Sequence, residues 1–184
     1  MIYAISDVHG RYDKYVAMLR TINLRPDDTL YVLGDVVDRG PDPIGVLRDM
    51  AARPNVIPIL GNHEFVAAYC MGFLLEEITE ESIAGLDAAR WAAIEDWSRN
   101  EGRPTMEGFG KLSAAERRDF LDYLGEFSLY EEVRAAGNIY LQRLQRDPRA
   151  KKNFFLSKWR TFPESGLNGR RKRTGICRRA RQES

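Results

Sequence analysis

The chain has 184 residues, 43% hydrophobic and 30% charged, with a formal net charge of +1. That length suits one domain with a sizeable core, and that balance excludes a disordered or fibrous chain. No apolar run approaches the roughly 20 residues that span a bilayer, and the opening MIYAISDVHG runs straight into a strand-like segment without a basic leader, so a cytoplasmic protein with no membrane partner is expected.

The first 75 residues alternate in period. IYAIS at 2–6 predicts a short buried strand, and Tyr15, Met18, Leu19 and Ile22 recur at helical spacing over 12–22. TLYVLG at 29–34 predicts a second buried strand. A helix over 43–53 follows, with Pro43 at its opening and Ile44, Leu47 and Met50 on one stripe. VIPIL at 56–60 predicts a third strand, and 63–75 a third helix. The order β-α-β-α-β-α implies a mainly parallel sheet with helices packed on it.

Residues 76–126 read as helical and more polar, with Trp91 and Trp97 packing over the domain. Ser113 and Glu116 form a capping box ahead of a helix over 117–124. This block is expected to be a plain helical insertion, without chemistry of its own, near the substrate entrance. From about Gly137 the sequence changes sign: residues 1–137 carry 14 Lys+Arg and 24 Asp+Glu, a net −10, and residues 138–184 carry 14 and 3, a net +11. The stretch NIYLQRLQRDPRAKKNFFLSKW reads as a basic amphipathic helix, and the arginine-rich remainder as irregular. The two cysteines, Cys70 and Cys177, have no metal or redox spacing and read as free thiols.

Three motifs end the three predicted strands: Asp7-Val8-His9-Gly10, Gly34-Asp35-Val36-Val37-Asp38-Arg39-Gly40 and Gly61-Asn62-His63-Glu64. In an open α/β sheet the ligand crevice lies outside those carboxyl ends, so the loops share one rim. Asp7 and His9, two apart on an extended strand end, point the same way and can chelate one ion. Asp35 has two oxygens and can bridge to a second ion, to which Asn62 offers a neutral oxygen. Mixed oxygen and nitrogen ligands suit manganese, iron or zinc more than calcium. Two such ions polarise a phosphoryl group and acidify a bridging water. His63 can protonate a leaving oxygen, Asp38 can fix its tautomer, and Arg39 offers a planar fork to a phosphate. Singly, each motif has a plainer meaning: Asp-Arg-Gly is ordinarily a salt-bridged turn, and Asn-His ordinarily a helix cap. Their conjunction, each after a strand, points to a two-metal phosphoesterase.

DVHG, GDVVDRGP and GNHE resemble the first three signature blocks of the calcineurin-like metallophosphoesterases, most closely the bacterial and phage serine/threonine protein phosphatases. The resemblance covers 1–75 and continues weakly to FSLYEEV near 133. It implies an α-β-β-α sandwich, here partial: an incomplete domain over 1–137 and a basic tail over 138–184. It also implies Asp7, His9 and Asp35 as ligands of a first metal, Asp35 and Asn62 as ligands of a second, His63 as general acid paired with Asp38, and Arg39 and Asn62 at the substrate phosphate. Manganese leads as the metal, with iron or zinc as alternatives. The family's later blocks, resembling VHAG and GHT, supply two more histidine ligands, whereas no histidine follows His63 here. The second ion is therefore expected to bind weakly, and the open face of the sheet to seek a covering. A truncated or frame-shifted origin of the tail fits the charge reversal.

Three functions follow as expectations. The first is hydrolysis of phosphate monoesters, phosphoserine or phosphothreonine in proteins foremost, with diadenosine tetraphosphate-type nucleotides as the neighbouring substrate. Asp38 favours the monoester branch, since the nucleotide branch tends to lack an acid there. The second is a non-catalytic remnant that binds one metal or none. The third, and the least expected, is nucleic-acid binding through RRKR and RRAR in the tail.

Overall fold

Strands β1 (Ile2–Ile5), β2 (Thr29–Leu33) and β3 (Val56–Ile59) pair in parallel, in the order β1-β2-β3. The computed structural model describes residues 1–75, 79–134 and 138–142. Helices α1 (Tyr12–Thr21) and α2 (Pro43–Ala52) are the crossovers, and α3 (Asn62–Met71) leaves the end of β3. Right-handed crossovers between strands in sequential order place α1 and α2 on one face of the sheet. Burial agrees: Leu30 and Val32 are fully buried, whereas Tyr31 and Leu33, pointing the other way, are only half-buried. The expected open face is therefore present among the described residues.

The first strand departs from expectation. It is an edge strand, not a buried one, and Ile2 is 51% exposed. The N-terminal ammonium is tied to Asp28, which also accepts from Arg25 N–H at 2.9 Å. The ammonium, and after it the Arg25 N–H, lower the Asp28 carboxyl below the usual range.

Among the described residues, four helices follow position 79 before the chain returns to the sheet. They are α4 (Glu80–Ala84), α5 (Ala88–Trp97) and, beyond a kinked segment (Ser98–Gly102), α6 (Arg103–Gly110) and α7 (Ala114–Gly125). α5 and α7 pack against α3, and α6 packs against α2. These helices are too short to hold by propensity alone, so tertiary packing holds them. Trp97, Phe109, Phe120 and Leu124 supply it, joining one buried cluster with Leu47, Met50 and Met71. The capping box of α7 forms as read: Ser113 Oγ accepts from Glu116 N–H at 3.4 Å, and Glu116 Oε2 accepts from Ser113 N–H at 2.9 Å. Trp91 does not pack as expected. It is 45% exposed, six positions before the buried Trp97.

After α7 the chain runs alongside β3. Leu60 N–H donates to the Ser128 carbonyl at 2.7 Å, and Ser128 N–H to that of Pro58 at 3.3 Å. Two strands follow, β4 (Tyr130–Arg134) and β5 (Asn138–Gln142), paired antiparallel. This corrects the expectation that NIYLQ opens an amphipathic helix. Those five residues carry Ile and Tyr, which suit a pleated surface, and pairing with β4 overrides their helical spacing. The rest of that expected helix and the irregular tail lie outside the described residues. So does Cys177, while Cys70 is a buried cysteine outside any disulfide.

Candidate metal centre and its cleft

The three loops do meet at one rim, but by unusual backbone rather than extended strand ends. Asp7, His9, Asp35, Asp38 and Arg39 all have positive φ, between 44° and 68°. β1 has already ended at Ile5, so the period-two argument for Asp7 and His9 does not apply. The pairing survives by another route: His9 N–H donates to the Asp35 carbonyl at 2.8 Å and Gly10 N–H to the Val36 carbonyl at 2.6 Å, which stitches the first loop onto the second. Asp7 Oδ1 then lies 3.9 Å from His9 Nε2.

Glu64 holds the second and third loops together. It is fully buried, and its carboxylate accepts from four backbone N–H groups: Asp35 at 2.8 Å, Val36 at 2.6 Å, Val37 at 3.1 Å and Gly61 at 3.0 Å. Burial pushes this carboxyl above the ordinary glutamate range, and the Val37 and Val36 donors pull it back. The sequence showed Glu64 only as the last letter of a motif. A carboxylate three residues past a glycine at a helix start was the available signal. Asn62 is not the cap of α3. The cap is Gly61, and Asn62 is the exposed first residue of the helix. Gly61 is required for space, because a Cβ there would meet Asp35 Oδ1 and Asp35 N.

His9, Asp35 and His63 can each offer a ligand atom, all within 4.8 Å of one another. His9 and Asp35 are buried, and the two imidazoles stand edge to face with centroids 4.8 Å apart. His9 Nδ1 lies 3.0 Å from the Val37 carbonyl, which can only accept. Its proton therefore sits on Nδ1, and the Nε2 lone pair is free to bind a cation. This donor set, two imidazoles and a carboxylate, fits a transition metal rather than calcium.

His63 also belongs to the neighbouring cleft. Its Nδ1 lies 2.7 Å from Asp38 Oδ2, and that hydrogen bond raises the imidazole above its ordinary pKa against the opposing effect of burial. Asp38 is 1% exposed. It also accepts from Trp97 Nε1 at 3.0 Å and from Thr105 Oγ1 at 2.6 Å. Both donors come from the helical block, which was expected to have no part in the chemistry. The cleft holds about 440 Å³ and is lined by Asp38, Arg39, Asn62, His63, Trp97 and Glu101 among others. Arg39 does not stand open to a phosphate. Its Nε lies 2.6 Å from Glu101 Oε2, and its N–H donates to the Glu101 carbonyl at 2.9 Å.

The structure thus gathers Asp7, His9, Asp35 and His63 at the rim and places Asp38, Arg39 and Asn62 beside them in the cleft. Comparison with known proteins points the same way. Bis(5'-nucleosyl)-tetraphosphatases, symmetrical, of Salmonella paratyphi B and Salmonella typhimurium are each 45% identical over 64 residues, 34% of this chain. The matched stretch spans only 23% of those relatives' length. Among solved structures, a candidate diadenosine tetraphosphatase superposes with a TM-score of 0.45 at 20% identity, covering 69% of this chain and 42% of that one. A metallophosphoesterase from Sphaerobacter thermophilus gives 0.38 at 21% identity, covering 71% and 42%. The calcineurin-like phosphoesterase profile matches residues 1–174, and the chain belongs to that family.

Proposed function

We propose that the chain is a metal-dependent phosphoester hydrolase acting on small phosphate monoesters at this rim. One observation carries the reading: an imidazole bonded to a buried carboxylate, His63 to Asp38, stands against a His9–Asp35 pair whose donor atoms converge. Asp7, His9 and Asp35 are the ligands of a first divalent ion, and Asp35 and Asn62 of a second. Manganese is the leading candidate, and the second site is the weaker. When bound, the ions polarise the phosphoryl group and supply an acidified water.

The chain's own residues do the rest. His63, raised toward its charged form by Asp38, releases a proton from Nε2 to the departing oxygen. Asp38 keeps Nδ1 protonated, so that Nε2 faces the substrate. Arg39 exchanges Glu101 for phosphate oxygens, aided by the amide of Asn62.

A second substrate reading rests on the Salmonella relatives, whose name is that of a dinucleoside tetraphosphate hydrolase. The cleft next to His63 leaves room for a phosphate chain. Phosphoserine or phosphothreonine peptides are a third substrate to compare. The test is phosphate release from p-nitrophenyl phosphate, a phosphothreonine peptide and a dinucleoside tetraphosphate, with and without manganese. We expect manganese-dependent turnover that His63→Gln lowers by about a hundredfold or more. No turnover of any substrate by the folded, metal-loaded chain would leave a non-catalytic metal-binding member of the family.

A further inference from the structure

The Asp38 carboxylate has three side-chain donors, and only one of them, His63, belongs to the rim motifs. His63 holds Oδ2 at 2.7 Å. The Trp97 indole N–H sits between the two oxygens, 3.2 Å from Oδ1 and 3.0 Å from Oδ2. Thr105 Oγ1 donates to Oδ1 at 2.6 Å and accepts from Asp38 N–H at 2.8 Å, so one hydroxyl grips both the backbone and the side chain of the same residue. Asp38 needs such a grip. It sits in a turn at φ 68°, with Arg39 also left-handed, and its bond to the imidazole alone fixes only one of its two oxygens. Asp38 and Trp97 are 1% exposed and Thr105 is fully buried, so water cannot stand in for either donor. Gly102 keeps the indole in place, because a Cβ there would meet Trp97 Nε1 and its ring carbons. A kink at Asn100 and Glu101, where the backbone leaves helical geometry, lets the chain turn from α5 into α6 and present both donors to one carboxylate.

We propose that Trp97 and Thr105 are positioning residues that set the orientation of His63 through Asp38. The helical block, not the three rim loops alone, then decides where the imidazole proton is delivered. The kinetic consequence rests on the hydrolase reading above; the geometric one stands without it.

The sequence contains only two histidines, His9 and His63, so a nitrogen-15 spectrum of the labelled full chain shows two imidazoles. Both carry an Nδ1 proton in a hydrogen bond, His9 to the Val37 carbonyl and His63 to Asp38. In Thr105→Val and Trp97→Phe, the His63 ring signals should move toward the free tautomer mixture while those of His9 stay in place. Thr105→Ser should restore the His63 signals. Unchanged His63 signals in both variants would overturn the proposal. So would loss of the His9 signals together with them, since that makes the two residues structural supports of the whole rim. The second measurement uses leaving groups. Thr105→Val should lower kcat at least about tenfold more for an alkyl phosphate, whose oxygen must be protonated, than for p-nitrophenyl phosphate, with KM within about twofold. Equal losses with the two substrates would count against positioning. If the parent chain turns over neither substrate, the hydrolase reading fails and the imidazole signals alone decide.

Discussion

The rim and the helical block are built by opposite means. At the rim, side chains organise backbone: one buried carboxylate, Glu64, binds four N–H groups and ties the second loop, with its left-handed turn, to the third. In the block, helices organise side chains, and the block's contribution to the site is two donors to Asp38, Trp97 and Thr105, and the Glu101 partner of Arg39. The difference teaches where tolerance lies. A rim residue touches several backbone groups at once, so its loss is not local. Trp97 and Thr105 each act on one residue, Asp38, and most of their helical neighbours only fill space.

The strongest way to break this contrast is Glu64→Ala. It leaves four buried N–H donors without an acceptor and should cost about 3–5 kcal/mol in denaturant unfolding. A loss near 1 kcal/mol would show that the loops hold their shape without the carboxylate. A smaller effect is expected inside the block. Ser113→Ala removes the cap of α7 and should cost about 1 kcal/mol by the same measurement, with metal binding intact. Smallest of all, Trp91→Ala should shift stability by no more than about 0.5 kcal/mol, because the ring is 45% exposed. A large effect there would mean that Trp91 has a partner the described residues do not supply.

The same contrast explains how much the sequence could reveal. The rim was legible because its chemistry is written in stretches of four to seven residues, each at the end of an apolar run. All three strands and the three helices between and after them were expected close to where they lie. What was missed has a physical reason in each case. Asp38 and its block donors are separated by 59 and 67 positions, so no local spacing links them. Arg39 reads as a free phosphate fork until Glu101 is seen against it, at a left-handed kink between two helices that no periodicity announces. The convergence of Asp7 and His9 was anticipated for the wrong reason, since an extended strand end was assumed where the backbone is left-handed. NIYLQ was misread because a five-residue apolar alternation does not separate helix from strand, and its partner, YEEVR, is too charged to be read as a strand alone.

The left-handed backbone at Asp7, His9, Asp35, Asp38 and Arg39 has one more implication. Each such residue sits in a conformation that costs an L-amino acid about 1 kcal/mol or more, and glycine would relieve it at any of the five. Selection for heat resistance alone, with no demand for phosphate chemistry, would give up the exposed Asp7 side chain first and Asp38, which holds three side-chain donors, last. In this molecule a more robust fold and a working rim draw on the same few torsions, in opposite directions.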